Sequence, residues 1–116
     1  MITRFDDRLT EIKEHLKSGE GNVEFKYIAS KEQLYNKIKM YSVLTLKQGC
    51  SIGYHQHIGE EEIMFIKSGQ GDYVDDGKES ILKTGDVSIC EDGHFHGIKN
   101  NSPEVLEIVA LIIENV

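Results

Sequence analysis

His55-Gln56-His57 sets two imidazoles two residues apart. On a strand, residues i and i+2 point to the same face, so both rings can reach one ion. Glu62 follows five residues after His57, past Ile58-Gly59-Glu60-Glu61. That intervening stretch reads as a turn that sends the next strand back antiparallel, returning the carboxylate beside the rings. His96 lies far along the chain, after Asp92-Gly93, at the start of another strand. Three imidazoles and one carboxylate are a usual ligand set for one divalent transition metal ion: iron, manganese, nickel or zinc. Such a centre keeps one net positive charge, and a six-coordinate ion would leave two positions for water or a chelating ligand. The chemistry would then be Lewis-acid catalysis or, for a redox-active ion, oxygen activation. Zinc would exclude the second route.

Strand parity extends this reading. If Glu62 points inward, so do Met64 and Ile66, and if His96 does, so does Ile98. These three are the expected pocket wall. His94, two residues before His96, reads as a solvated loop residue or as an acid/base group suited to neutral pH. Glu62 itself, on detaching, is the other candidate catalytic residue. Glu60 and Glu61 read as the wet rim of the site. Cys50 and Cys90 read as small buried hydrophobes, because nothing beside them in sequence would activate a thiol. Tyr54 reads as packing, and Asn100 as a residue that orients a turn.

These groups need a scaffold. From residue 38 onward, runs rich in Val, Ile, Tyr and Phe alternate with Gly, Asp and Asn. The pattern predicts strands at 39–47, 51–57, 61–67, 71–75, 79–83, 86–90, 95–99 and 104–113. Asp76-Gly77 between two such runs is a two-residue hairpin signal. Short strands at this spacing indicate a sandwich or a barrel. Ahead of them, Leu9, Ile12 and Leu16 recur at helical spacing and predict a short helix over 7–17. A strand at 22–29 and a helical turn at 31–36 follow. Residues 1–37 are thus expected to form an extension packing on a barrel of residues 38–116, one domain in all. The run Ile108 to Ile113 is apolar on both faces, so either the N-terminal segment or a second subunit must cover it. A homodimer is the expectation.

The spacing of the site residues resembles the cupin superfamily in detail. Its first motif is Gly, five residues, His-x-His, three or four residues, Glu, six residues, Gly. Here that is Gly49, His55, His57, Glu62 and Gly69. The second is Gly, five residues, Pro-x-Gly, two residues, His, three residues, Asn. Here Gly85, Gly93, His96 and Asn100 fit, with Glu91 where proline is usual. That exchange removes a φ constraint but no ligand. The chain is most similar to small stand-alone bacterial single-domain cupins of the conserved-barrel type. The resemblance implies an all-β double-stranded β-helix, or jelly-roll, barrel with a short N-terminal helical or irregular segment. It also implies His55, His57, Glu62 and His96 as metal ligands.

Composition narrows the partners. The 116 residues carry 13 basic and 20 acidic groups, a net charge of −7. Residues 1–48 hold nine Lys/Arg against seven Asp/Glu, and residues 49–116 hold four against thirteen. An acidic chain without a helix-turn-helix pattern argues against nucleic acid as a partner. No apolar run approaches membrane-spanning length, and the opening residues are too polar for a secretory signal, so the expectation is a cytoplasmic protein. Two functions fit a small-molecule ligand: a metal-dependent isomerase, lyase or dioxygenase acting on a sugar, hydroxy-acid or enediol, or a module that binds a metabolite or metal without turnover.

Overall fold

The structure is a computed structural model and describes residues 1–115. Short 3-10 turns precede and follow the first of ten strands: β1 (Thr10–Glu14), β2 (Asn22–Tyr27), β3 (Ile38–Leu46), β4 (Ser51–Gln56), β5 (Glu60–Ser68), β6 (Gln70–Asp75), β7 (Lys78–Lys83), β8 (Val87–Cys90), β9 (Phe95–Lys99) and β10 (Leu106–Glu114). They form a six-stranded sheet, β1-β2-β3-β10-β5-β8, and a four-stranded sheet, β4-β9-β6-β7. Every pairing is antiparallel. This is the all-β jelly-roll barrel that the resemblance implies. Asp76 and Gly77 both take positive φ, 48° and 82°, and close the β6–β7 hairpin as the Asp-Gly pair requires.

Alternation builds the core. On β5, Glu62, Met64 and Ile66 are buried while Phe65 and Lys67 are exposed. Leu44, Leu46, Leu106, Ile108 and Ala110 join Met64 and Ile66 from the larger sheet, and Ile52, Tyr73 and Ile98 face them from the smaller one. Asn100 is fully buried and holds the turn after β9. Its Nδ2 donates to the Leu46 and Glu104 carbonyls, and its Oδ1 accepts from Ser102 N–H.

The expected helix over 7–17 does not form. Residues 10–14 instead make β1, which pairs with β2 from Thr10↔Lys26 to Glu14↔Asn22. Leu9, Ile12 and Leu16 satisfy a helical spacing, but an isolated helix of eleven residues gains too few bonds to be stable alone. The edge of β2 offers a full ladder instead. Left-handed backbone at His15, Lys17 and Ser18 then turns the chain sharply. At 31–36 the chain forms a turn, with Gln33 and Leu34 N–H both donating to the Ser30 carbonyl. The strand expected at 22–29 ends at Tyr27.

The sharp turn after β1 docks on β4 through two glycines. A Cβ on Gly53 would stand 1.9 Å from the Lys17 carbonyl oxygen, and one on Gly19 would stand 2.3 Å from that of Ser51. Ser51 N–H donates to the Glu20 carbonyl (2.8 Å), and Glu20 N–H donates to Ser51 Oγ (2.8 Å). No side chain fits this seam. Gly53→Ala is therefore expected to destabilise the fold by about 2 kcal/mol or more, lowering Tm by roughly 5–10 °C. An unchanged thermal melt would show that the seam does not hold the N-terminal segment in place.

Candidate metal centre

Three strands bring four side chains to one point. β4 and the residue just past it carry His55 and His57, β5 carries Glu62, and β9 carries His96. His55 and His96 are direct register partners across β4 and β9. His55 Nε2 lies 3.1 Å from His57 Nε2, which lies 2.9 Å from His96 Nε2. Glu62 Oε1 stands 3.1 Å from His57 Nε2 and 3.0 Å from His96 Nε2. One donor atom from each residue falls within 4.8 Å of all the others. His57, Glu62 and His96 are buried, and His55 is half-buried.

The opposite side of each ring is also fixed. His55 Nδ1 donates to the Gly53 carbonyl oxygen (2.6 Å), and His57 Nδ1 donates to the Glu60 carboxylate (2.6 Å). Both partners can only accept, so in the neutral rings Nδ1 carries the hydrogen and Nε2 presents a lone pair. Tyr73 Oη stands 2.8 Å from His96 Nδ1 and holds the third ring. When both rings are neutral, the His55 and His57 lone pairs thus face one another at hydrogen-bonding distance with no hydrogen between them. A cation removes that repulsion. Donors bound at right angles around one ion at ~2.1 Å stand about 3 Å apart, the separation seen here. The donor set and its spacing fit a divalent transition metal.

Electrostatics agree. Burial holds His55 below the ordinary imidazole value, against the pull of the Gly53 hydrogen bond. Burial also opposes the His57 cation, but hydrogen bonds to Glu62 and Glu60 outweigh it and raise that ring. Burial would lift the Glu62 carboxyl, yet the hydrogen bonds from His57 and His96 prevail and keep it well below the usual carboxylate range. Glu60 is lowered in the same way, its burial outweighed by Lys39 and His57. Lys39 Nζ donates to Glu60 Oε1 at 2.7 Å.

The structure brings together some of the expected residues and separates others. His55, His57, Glu62 and His96 converge. His94 does not join them: it is exposed, with Nδ1 on the Asp76 carboxylate. Met64, Ile66 and Ile98 point inward, but they are packed in the core at 1%, 0% and 3% exposure. The cavity above the cluster, about 810 Å³, is walled instead by Phe25, Tyr27, Met40, Leu44, Ile52 and Ile112. Parity gives the side a residue faces and not its depth, and the walls come from β2, β3, the start of β4 and the end of β10. Glu60 is half-buried against His57 and not on the wet rim. The i, i+2 relation to Glu62 would have placed it on the same face as that carboxylate. Tyr73 carried no such signal. Tyr54 stacks on Phe95 at 5.5 Å. Burial, with the Glu62 charge, pushes the Cys90 thiol up to about 12.

Comparisons with known proteins show relatives of the same fold. A family model described as a cupin domain matches residues 42–112. A curated protein named "Oxalate-binding protein", from Thermotoga maritima, is 36% identical over 113 residues, covering 97% of this chain and 93% of its own. The crystal structure of a predicted oxalate decarboxylase from Thermotoga maritima superposes with a TM-score of 0.92 at 36% identity, covering 98% and 99% of the two chains. KdgF from Halomonas sp. shares the fold at a TM-score of 0.69 and 18% identity, over 90% of this chain and 86% of its own.

Metal binding should depend on pH with a definite sign. A proton on any ligand imidazole competes with the ion, and Glu62 stays ionised throughout. Affinity for Mn²⁺ or Zn²⁺ is expected to fall as pH drops through about 6.5, with His57 starting the loss above that value. Competition titrations between pH 8 and 5.5 read this directly. His96→Ala should lose the ion at every pH. A flat profile, or full metal content in His96→Ala, would remove the assignment.

Proposed function

The chain belongs to the cupin family, and from that footing we propose that it is a metal-dependent cupin whose cavity receives a small carboxylate-bearing metabolite at the metal centre. The convergence of three imidazole Nε2 atoms and one carboxylate at the floor of a cavity carries this reading. The name of the Thermotoga maritima relative supports a small diacid as ligand. A divalent transition metal, when bound, supplies Lewis-acid polarisation and, for a redox-active ion, electron transfer. The chain's own residues do the rest. His55, His57, Glu62 and His96 hold the ion, and Gly53, Glu60 and Tyr73 fix the rings that ligate it. Three neutral imidazoles and one carboxylate leave a net positive centre that attracts an anion. Apolar side chains wall part of the cavity above the cluster. Turnover would fall in the isomerase, lyase or oxygenase classes.

A binding module without turnover is the second reading, and one observation favours it. The acid/base groups beside the cluster are already engaged, Glu60 by His57 and Lys39 and Glu62 by His57 and His96. His94 stands outside the cavity. Titration of the Mn²⁺-loaded protein with oxalate, followed by NMR of the mixture, separates the two. Saturable binding that is lost in His96→Ala is expected under both readings. New resonances growing with time would mark an enzyme, and unchanged oxalate after hours would mark the module. Failure to bind oxalate at millimolar concentration would remove the small diacid from both.

A homodimer is part of the same proposal. Register aligns Tyr41 and Ile63 with Leu111, Val43 and Phe65 with Val109, Ile63 with Ile89, and Phe65 with Val87, all on the outer face of the larger sheet. β1 and β2 extend the edge of that sheet and do not cover the face. Phe65, Val87 and Ile89 remain 43%, 52% and 55% exposed. A second copy placing the same face against it would bury this patch. Light scattering is expected to give twice 13.1 kDa, and Phe65→Glu to shift the mass towards 13.1 kDa. A wild-type mass of 13.1 kDa at micromolar concentration would remove the dimer.

A further inference from the structure

The cavity lining carries an excess of one positive charge in a protein of net charge −7. Arg8, Lys13, Lys17, Lys31 and Lys39 line it, against Asp7, Glu32, Glu60 and Glu62. All five cations come from the first 39 residues, so the N-terminal segment turns its positive charge towards the site. A bound divalent ion would raise that excess further. Two of the five are engaged: Lys39 pairs with Glu60, and Lys13 Nζ lies 4.4 Å from the centre of the Phe25 ring.

Arg8 is different. It is half-buried, and its Nε is enclosed in the protein without any acceptor. A buried guanidinium nitrogen without a partner carries a desolvation cost that a carboxylate would offset. The planar fork of Arg suits that partner in particular. The cavity volume, about 810 Å³, is far larger than a two-carbon diacid needs and lies within the range of sites for drug-sized ligands. Its Phe25, Met40, Leu44 and Ile52 walls suit a carbon spacer between two polar ends.

We propose that Arg8 anchors a distal carboxylate of the ligand, so that the site selects a chelating diacid with a carbon spacer over a bare two-carbon diacid. This rests on the reading above, in which a carboxylate-bearing metabolite reaches the metal centre. One end of the ligand meets the ion, the spacer lies on the apolar wall, and the far carboxylate pairs with Arg8. The N-terminal segment thereby sets specificity, while the barrel sets the chemistry.

Calorimetric titration of the Mn²⁺-loaded protein with three matched pairs tests this. The diacids are oxaloacetate, α-ketoglutarate and α-ketoadipate. Their partners, α-ketobutyrate, α-ketovalerate and α-ketocaproate, share the chelating head without the distal carboxylate. At the best length the diacid is expected to bind about tenfold or more tightly than its partner. Arg8→Gln should abolish that advantage and Arg8→Lys should keep part of it, with Mn²⁺ affinity, monoacid affinity and thermal melts unchanged in both. An advantage that survives in Arg8→Gln, or none at any length in a wild type that binds the monoacids, overturns the Arg8 assignment alone. A wild type that binds neither series nor oxalate overturns it together with the proposed function.

Discussion

Nitrogen lone pairs that face one another at about 3 Å dominate this molecule. Left to themselves, neutral imidazoles would turn away or take up protons. The fold fixes the orientation of the rings and opposes a proton at His55, while Glu62 and Glu60 favour one at His57. Hydrogen bonds between the Nδ1 atoms and Gly53, Glu60 and Tyr73 set the ring orientations, and burial works against a charged ring at His55. Glu62, placed between His57 and His96, is kept ionised in a buried position. The arrangement is costly for a protein to hold empty-handed and favourable around a cation. The direct pairing of His55 with His96, the inward parity of β5 and the solid core below Glu62 all serve it.

The core explains why the cluster sits where it does. Met64 and Ile66 continue the inward face of β5 beyond Glu62, and Ile98 continues that of β9 beyond His96. They fill the barrel completely, so the polar cluster lies at the boundary between a packed interior and a cavity. A site deeper in the barrel would have no room for a ligand. One nearer the rim would lose the low dielectric that strengthens its electrostatics.

The four converging residues were legible because strand chemistry is local. His-x-His and a following Glu fix a face by parity, and the glycine spacings fix the turns. Eight barrel strands could be read from alternation and turn residues for the same reason. The N-terminal segment could not. Leu9, Ile12 and Leu16 suit a helix on spacing alone, and only the edge of β2 decides otherwise. That edge is a non-local partner which no window of sequence contains. Glu60 was within reach of parity but was hidden in an acidic run. Tyr73 meets His96 across 23 residues, through sheet pairing that spacing does not encode. The cavity wall failed for a related reason: facing inward does not distinguish filling the core from lining a space.

Gly53 ties two parts of the molecule that otherwise look independent. Its carbonyl holds His55, and its missing side chain admits the Lys17 turn. A small shift in the N-terminal seam would move that carbonyl, and with it the tilt and basicity of one imidazole. The same segment lines the cavity above. Substitutions in the first twenty residues would therefore act on the His55 ring and on the cavity together, without altering any of the four converging side chains. A change confined to the N-terminal segment would thus reach the His55 ring while the four converging side chains stay the same.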